Sequence, residues 1–278
     1  MAAFVVRRNF MDEYLRSNQK LWNDWTDIHA KSAFYDVEGF KAGKFRLTSI
    51  EKGELGDVRG KSLLHLQCHF GMDTLSWASL GAIVTGVDFS DKAIALARSL
   101  SEEIGIPATF VHSNVYDLPQ NLSGRFDIVF TSYGVLGWLP DIGAWAKVVA
   151  HFLKPGGTFF VVDIHPIVWA FDEDNESELK LRYSYFPKPE PIKLDVKGSY
   201  ADLDHEYRGV EYGWNHSLSE YINSLIGAGL QIESLNEYPF HAWKALPLME
   251  RGEDGWWRLT GQKGELPLMF SIKATKQA

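Results

Sequence analysis

The stretch Ser62–Ser90, SLLHLQCHFGMDTLSWASLGAIVTGVDFS, constrains the fold more than any other part of the chain. Leu63, Leu64 and Leu66 form a short apolar run that stops at Gln67-Cys68-His69-Phe70-Gly71. From Met72 to Leu80 the apolar residues recur at helical spacing, and Ile83 to Val87 is a second β-type run that ends in Asp88. Strand, tight turn, helix and strand in this order begin an open α/β sheet. In such a sheet a ligand sits beyond the carboxyl ends of the strands, where the first turn feeds a helix N-terminus. Asp88 stands where an acidic side chain can hold a ribose.

Three later segments extend the pattern. NVYDLP (Asn114 to Pro119) follows a third strand, Ala108 to His112, which Pro107 opens. FDIVFTSYGVL (Phe126 to Leu136) begins with a continuous apolar run of the kind buried on both faces, and LKPGGTFFVVD (Leu153 to Asp163) ends a helix and opens a fifth strand. Together with HLQCHFG (His65 to Gly71) and GVDFS (Gly86 to Ser90), these segments resemble, in order, the class I S-adenosylmethionine-dependent methyltransferases. The resemblance covers roughly Ser62 to His165, a little over a third of the chain.

The resemblance implies a Rossmann-like methyltransferase fold of the α/β class. The expected sheet is mostly parallel and seven-stranded, with its last strand antiparallel, an N-terminal helical cap and an inserted β lid. It implies S-adenosyl-L-methionine as cofactor, with Gln67, Cys68 and Gly71 at the first turn, Asp88 on the ribose hydroxyls and Phe89 against the adenine face. Asn114 and Val115 then meet the adenine edge, and Ser132 and Tyr133 lie beside the methionine portion. The chain also departs from the family. His65, Gln67 and His69 stand where an acidic residue and two glycines are usual. A side chain at Gln67 or His69 calls for ordinary backbone angles, or accepts a left-handed one at some cost. Asn114 replaces the usual Asp, and its carbonyl can still accept a hydrogen bond from an adenine amino group.

His65, Cys68 and His69 form an HxxCH cluster that invites a metal reading. His65 lies in a strand whose neighbours point the opposite way, and no second Cys or His pair follows at ligand spacing, so no metal site is expected. The formal net charge is −8, with no Lys/Arg-rich run, which excludes nucleic acid as an expected partner. Cys68 is the single cysteine, so no intrachain disulfide can form. The apolar run of MAAFVVRRNF is too short for a signal peptide and no segment reaches the length of a membrane span. The expectation is a cytoplasmic protein acting on a small molecule, with no membrane partner.

Residues 1–60 are expected to form the helical cap and connector, and residues 61–278 the methyltransferase domain with 165–213 as the inserted lid. Phe10 to Ala30 reads as one or two amphipathic helices, Ser32 to Gly43 as a loop and Glu51 to Lys61 as a charged connector. Asp91 is read as the cap of a helix running to about Ile104. A further helix spans Asp141 to Leu153, stopped by Lys154-Pro155-Gly156-Gly157 before a strand from Thr158 to Ile164. Within the insertion, Leu179 to Phe186 and Ile192 to Tyr200 read as antiparallel strands. A helix (Leu218 to Ala228), a strand (Leu230 to Tyr238), an aromatic connector (Pro239 to Gly264) and a last strand (Leu266 to Ala274) complete the chain.

Aromatic residues make up 14% of the chain, with ten Trp, and gather in Met11 to Phe45 and Val168 to Trp257, outside the cofactor half. That distribution suits a lined pocket for an organic substrate. Trp25, His29, Phe34 and Tyr35 are candidates for a cover over the cofactor, and Trp169, His216 and Trp243 for the substrate wall or lid. Methyl transfer is an in-line displacement in which the protein supplies alignment and a dry site. A base is needed only if the acceptor must lose a proton. His165, just past the fifth strand, is the best placed, followed by Tyr133, His216 and His241. Asp163 is read as a strand-end acid beside the pocket. The reading is transfer of a methyl group from S-adenosylmethionine to a small organic molecule. Two alternatives share the sheet: an NAD(P)-dependent oxidoreductase, which the absence of GxGxxG disfavours, and a non-catalytic S-adenosylmethionine-binding protein, which the unusual first turn suggests.

Overall fold

The computed structural model describes residues 2–261 and 265–277, with side chains from residue 13 onward. Helices α1 (Ala2–His29), α2 (Val37–Lys41) and α3 (Ser49–Leu55) precede the sheet. Strand β1 (Ser62–Leu66), α4 (Met72–Ser79), β2 (Ile83–Asp88), α5 (Asp91–Glu103) and β3 (Thr109–His112) form its first half. Then come α6 (Leu118–Asn121), β4 (Phe126–Ser132), α7 (Ile142–Phe152) and β5 (Leu153–Ile164). The insertion carries β6 (Ile192–Lys197) and β7 (Arg208–Gly213), and the chain continues through α8 (Leu218–Gly227), β8 (Leu230–Tyr238), β9 (Met249–Arg251), β10 (Trp257–Leu259) and β11 (Met269–Lys276).

The main sheet has the order β3-β2-β1-β4-β5-β11-β8. β3 to β5 pair in parallel, and β11 runs antiparallel to both of its neighbours, β5 and β8. Period-two alternation with apolar residues on both sides gives each face a cover. Leu63, Val84, Ile128, Phe130 and Phe160 pack under α3 and α4, with Trp77 filling the centre. Leu64, Leu66, Val129, Phe159 and Val161 face α7 and α8 on the other side. Strand order reverses between β1 and β4, so the crevice beyond their carboxyl ends is the topological switch point.

Several local readings are corrected. Ser32 to Gly43 is not only loop: α2 forms there, with the Asp36 carboxylate accepting the Gly39 N–H. The connector at Glu51 begins inside α3, capped by Thr48. Ser90, not Asp91, caps α5, its hydroxyl accepting the Ala93 N–H. Lys154 to Gly157 belongs to a longer β5, with a register shift against β4. Gly157 is needed there because a Cβ would lie 2.9 Å from Lys154 O and 3.1 Å from Phe126 O. Leu179 to Phe186 forms no strand beyond one bridge, Phe171 to Leu181, and β6 pairs instead with β7. The connector after Tyr238 carries the β9–β10 hairpin, and its end at Gly264 lies outside the described residues, as does the side chain of Phe10.

The amphipathic N-terminal segment is a single helix, and the β6–β7 hairpin lies along it. Asn18 makes a two-way amide pair with Tyr212, donating to its O at 2.7 Å and accepting its N–H at 2.9 Å. Trp25 Nε1 donates to Gly198 O at 3.0 Å, and Tyr207 OH donates to Asp24 at 3.1 Å. Helix and hairpin are thus joined to each other, and Gln19 Nε2 ties the helix to Phe89 O at the end of β2.

Candidate functional site

The first turn keeps a left-handed backbone at three alternate positions: φ is 58° at Gln67, 50° at His69 and 78° at Gly71. At Gln67 and His69 the resembled family carries glycine, and here two larger side chains stand on a left-handed backbone. Holding Gln67 and His69 there costs about 1–2 kcal/mol each. Gly71 has no alternative, since a Cβ would sit 2.6 Å from the Phe110 ring and 3.0 Å from Ala97 Cβ. Cys68 is buried against Phe110 and Gly86, so only its backbone reaches the turn.

Asp88 closes this turn from β2. Its Oδ2 accepts the His69 N–H and its Oδ1 the Ser90 N–H, each at 2.8 Å. Burial pushes its carboxyl up to about 6, with the two backbone N–H groups opposing the rise. Each oxygen uses one acceptor direction on the backbone and retains another, which matches the two hydroxyls of a ribose.

Beside Asp88, a groove of about 280 Å³ is lined by Phe89 and Asn114 from the sheet and by Leu15, Arg16 and Gln19 from α1. Phe89 is half-buried and belongs to none of the core clusters, and Gln19 fastens the helix to its carbonyl at 2.6 Å. Asn114 spends its Oδ1 on the Tyr116 N–H, and the Val115 side chain is in the main core, so Val115 has only its backbone to offer. A larger groove of about 330 Å³ lies at the amino ends of the strands, among Lys61, Asp127, Lys154 and Lys273. Lys154 and Asp127 neutralise each other there, and the residues of the first turn are at the opposite end of the sheet.

On the other side of the turn, Gln67 Nε2 donates to Val135 O at 3.0 Å, while its Oε1 is buried without a partner. Ser132 Oγ lies 3.3 Å from His65 Nε2 and 3.4 Å from Asp73 Oδ2, and His65 Nδ1 is 2.8 Å from Thr74 Oγ1. Burial pushes His65 down to about 3, so its ring is neutral. Tyr133 has φ 43°, and its hydroxyl meets Thr48 at 3.2 Å; burial drives it well above the ordinary tyrosine range. Asp163 is turned inward, its carboxylate accepting the N–H groups of Gly134, Val135, Leu136 and Ile164, and it shapes the turn after β4.

Above these groups stands an aromatic chamber. Tyr200, from the hairpin, lies within 6.5 Å centroid distance of Trp22, Trp25, His29, Phe34, Tyr35 and Trp243. Tyr200 itself keeps 37% of its surface exposed. Tyr200 and Tyr35 share a short hydroxyl contact. His29 Nδ1 is 2.9 Å from His69 Nε2, joining α1 to the first turn, and Trp22 packs edge-on to both His69 and Trp138. Trp243 approaches Tyr133 and Gly134 from the β9–β10 side.

Of the residues singled out in the sequence, the structure therefore gathers Gln67, Gly71, Asp88, Phe89, Asn114, Ser132, Tyr133, Trp25, His29, Tyr35 and Trp243 around one crevice. It places others apart. His165 is on the β11–β8 side, with Nε2 3.0 Å from Glu237 and Nδ1 accepting the Ile167 N–H. His216 is held between Glu220 and Leu139 O, and His241 folds back on Trp243 O. Trp169 is exposed at the lid edge, where its carbonyl accepts from Asn215. The HxxCH side chains diverge: His65 toward Thr74, Cys68 into the core and His69 toward His29. Among the described residues no group of three or more His, Cys, Asp or Glu is placed to hold a metal, and no helix is long and apolar enough to cross a membrane. Trp22, Arg46, Asp73, Trp138 and Tyr200 line the site and were not expected. Asp73, two residues past Gly71 in the motif, is the one that the sequence could have marked.

A model of a methyltransferase domain matches residues 64–159. The ubiquinone biosynthesis O-methyltransferase of Bordetella avium is 31% identical over 168 residues, covering 56% of this chain and 68% of that protein. Its counterpart from Proteus mirabilis is 32% identical over 139 residues, 48% of this chain and 56% of that protein. Several curated relatives are matched over only about half their length, 46% to 59%. Among solved structures, an S-adenosylmethionine-dependent methyltransferase from Clostridium acetobutylicum superposes with a TM-score of 0.60 at 14% identity, covering 93% of this chain and all of that one.

Proposed function

Because the chain belongs to the class I S-adenosylmethionine-dependent methyltransferases, we propose that it transfers the methyl group of S-adenosylmethionine to a small organic molecule by in-line displacement. The observation that carries this reading is Asp88, a carboxylate with acceptor capacity to spare at the switch point, facing a crevice roofed by aromatic rings. The cofactor supplies a methyl group already activated on a positively charged sulfur. Asp88 would hold its ribose, and Phe89 and the backbone at Val115 its adenine. Gln67, whose Oε1 is otherwise unpaired, would take its amino-acid end. Residues 1–60 and 165–213 act as cap and lid: they align the acceptor and exclude water, which suits a reaction that needs orientation more than acid–base machinery.

The acceptor is proposed to be an oxygen on an aromatic or amphiphilic metabolite. Several curated relatives are ubiquinone biosynthesis O-methyltransferases, and a cluster of tilted and edge-on rings offers a flat guest edge-to-face contacts on several sides. Thermal shift with S-adenosylhomocysteine and with NAD tests the cofactor. Stabilisation by the first alone is expected, and by NAD alone overturns the reading. A screen of phenols, amines and thiols with labelled S-adenosylmethionine tests the transfer; cofactor binding with no product from any acceptor would leave a binding protein instead.

A further inference from the structure

Asp73 stands in the first turn of α4, two residues beyond Gly71, where the cofactor turn meets the aromatic chamber. Its only hydrogen bond among the described residues is a long one, 3.4 Å from Ser132 Oγ to Oδ2. Oδ1 has no partner among them. Ser132 is itself part of a chain that runs back through His65 Nε2, at 3.3 Å, to Thr74 at 2.8 Å. This chain holds one carboxylate oxygen and leaves the other without a hydrogen bond among the described residues.

The groups around it set its chemistry. Arg46, held by the carbonyls of Phe34 and Tyr35, is the positive charge that Asp73 senses, and among the described residues the two form no ion pair. Tyr35, Tyr133 and Tyr200 and the buried Glu51 all feel the negative charge of Asp73, so it stands near these polar groups. Burial raises its carboxyl above the ordinary range and outweighs Arg46, so the carboxylate is a better base than one in water. The neutral ring of His65 cannot donate a charge to hold it ionised.

We propose that Asp73 is the proton acceptor for methyl transfer to an aromatic hydroxyl, through its free Oδ1. This rests on the methyltransferase reading and names the group that reading left open. As the hydroxyl oxygen bonds to the methyl carbon, the carbon–sulfur bond breaks and its electron pair stays on sulfur. The hydroxyl proton passes to Asp73. A positive sulfur and a negative carboxylate both become neutral, and a chamber poor in water favours that change over one that leaves charges behind. Ser132 is a positioning residue, since it orients Oδ2 and touches no reacting atom.

The test uses the full chain with S-adenosylhomocysteine bound and 4-nitrocatechol as probe, whose visible absorption reports loss of its hydroxyl proton. Because a neighbouring carboxylate opposes a second negative charge, the wild-type complex is expected to bind the probe and hold its hydroxyl proton to a pH about one unit above its value in water. Asp73→Asn should remove that shift while changing S-adenosylhomocysteine affinity by less than about threefold. With S-adenosylmethionine, Asp73→Asn should lower kcat by about 100-fold or more, less for more acidic phenols, in the range typical of a positioned general base. Ser132→Ala should lower kcat about tenfold, and Ser132→Thr should restore it. If the probe does not bind, or its ionisation is the same in wild type and Asp73→Asn, the proposal fails. If Asp73→Asn instead loses S-adenosylhomocysteine but keeps 5′-methylthioadenosine, Asp73 holds the cofactor's ammonium and is not the base. If wild type binds neither nucleoside, it is the methyltransferase reading that falls.

Discussion

His29 Nδ1 and His69 Nε2 lie 2.9 Å apart, one on α1 and the other in the turn after β1, so the two imidazoles join helix and turn directly. Two neutral imidazoles can share one proton in this way, and two imidazolium rings cannot. His29 is fully buried and pushed down to about 3; His69 is lowered well below its usual range by burial, with Arg46 and His29 adding to the effect.

Acid sensitivity follows from these rings. A histidine with a depressed folded pKa contributes stability that is present above its unfolded value of 6.5 and lost as pH falls toward the folded value. His65, at about 3, and His241, at about 4, act with the same sign. Asp88 acts oppositely: its carboxyl, raised to about 6 from 3.8, favours the fold most below 3.8 and loses that contribution as pH rises to about 6. Glu211, raised to about 7 by burial, acts with Asp88, and between pH 6 and 4 the four histidines His29, His65, His69 and His241 outweigh these two carboxyls, so the melting temperature should fall on acidification below pH 6.5. Each fully buried ring adds up to about 1.4 kcal/mol per pH unit. Urea unfolding at pH 7, 6 and 5 should show a shallower loss for His29→Asn than for wild type. An equal slope in the two would mean that His29 already carries its proton.

Cofactor affinity should have its own pH dependence. Because Asp88 is proposed to accept from the ribose hydroxyls, binding of S-adenosylhomocysteine should weaken as pH falls through about 6 and the carboxyl takes a proton. Asp88→Ala also releases the N–H groups of His69 and Ser90. It should cost about 1–3 kcal/mol of binding free energy by calorimetry at pH 7.5, and flatten the profile below pH 6. Unchanged affinity would place the ribose elsewhere.

The parallel half of the sheet was legible because its strands are buried on both faces and read as continuous apolar runs, and because Gly71, Asp88 and Asn114 mark three successive strand ends. The left-handed backbone at Gln67 and His69 was not legible from those residues, since neither side chain favours it; only the resemblance pointed there. Helices α2 and α3 span too few residues to show a helical period, and Leu179 to Phe186 alternates without a partner strand to pair with. The chamber was half visible. Trp25, His29 and Tyr35 share one stretch of chain, but Tyr200 reaches them across 165 residues, and nothing local in the hairpin announces that contact.

The first turn offers a direct comparison of two glycine positions. Gly71→Ala places a methyl group 2.6 Å from Phe110 at a φ of 78°, so left-handed strain and overpacking add. The expected loss is about 2–5 kcal/mol in chemical denaturation. Gln67→Gly occupies an equivalent left-handed position without a clash and relieves strain, while losing one hydrogen bond to Val135 O. These effects are of similar size and opposite sign, so its stability should stay within about 1 kcal/mol of wild type. If both substitutions destabilise equally, the turn is not held in the left-handed path.

Trp25 tests whether cap helix and lid hairpin move as one piece. Its ring is 4% exposed, its Nε1 donates to Gly198 O at the start of the hairpin loop, and its aromatic neighbours are Trp22, His29, Trp138 and Tyr200. None of these contacts belongs to the β1–β5 sheet. Trp25→Phe keeps most of the buried area and loses the hydrogen bond, at about 1 kcal/mol, whereas Trp25→Ala opens a cavity worth about 3–5 kcal/mol. In Trp25→Ala, hydrogen exchange should quicken together in α1 and in residues 192–213, with β1 to β5 unchanged, because local opening follows the contacts that are lost. Asn18, paired both ways with Tyr212, carries the effect from helix to strand. Faster exchange in α1 with the hairpin still protected would show two independent covers, and the acceptor would then enter past the helix alone.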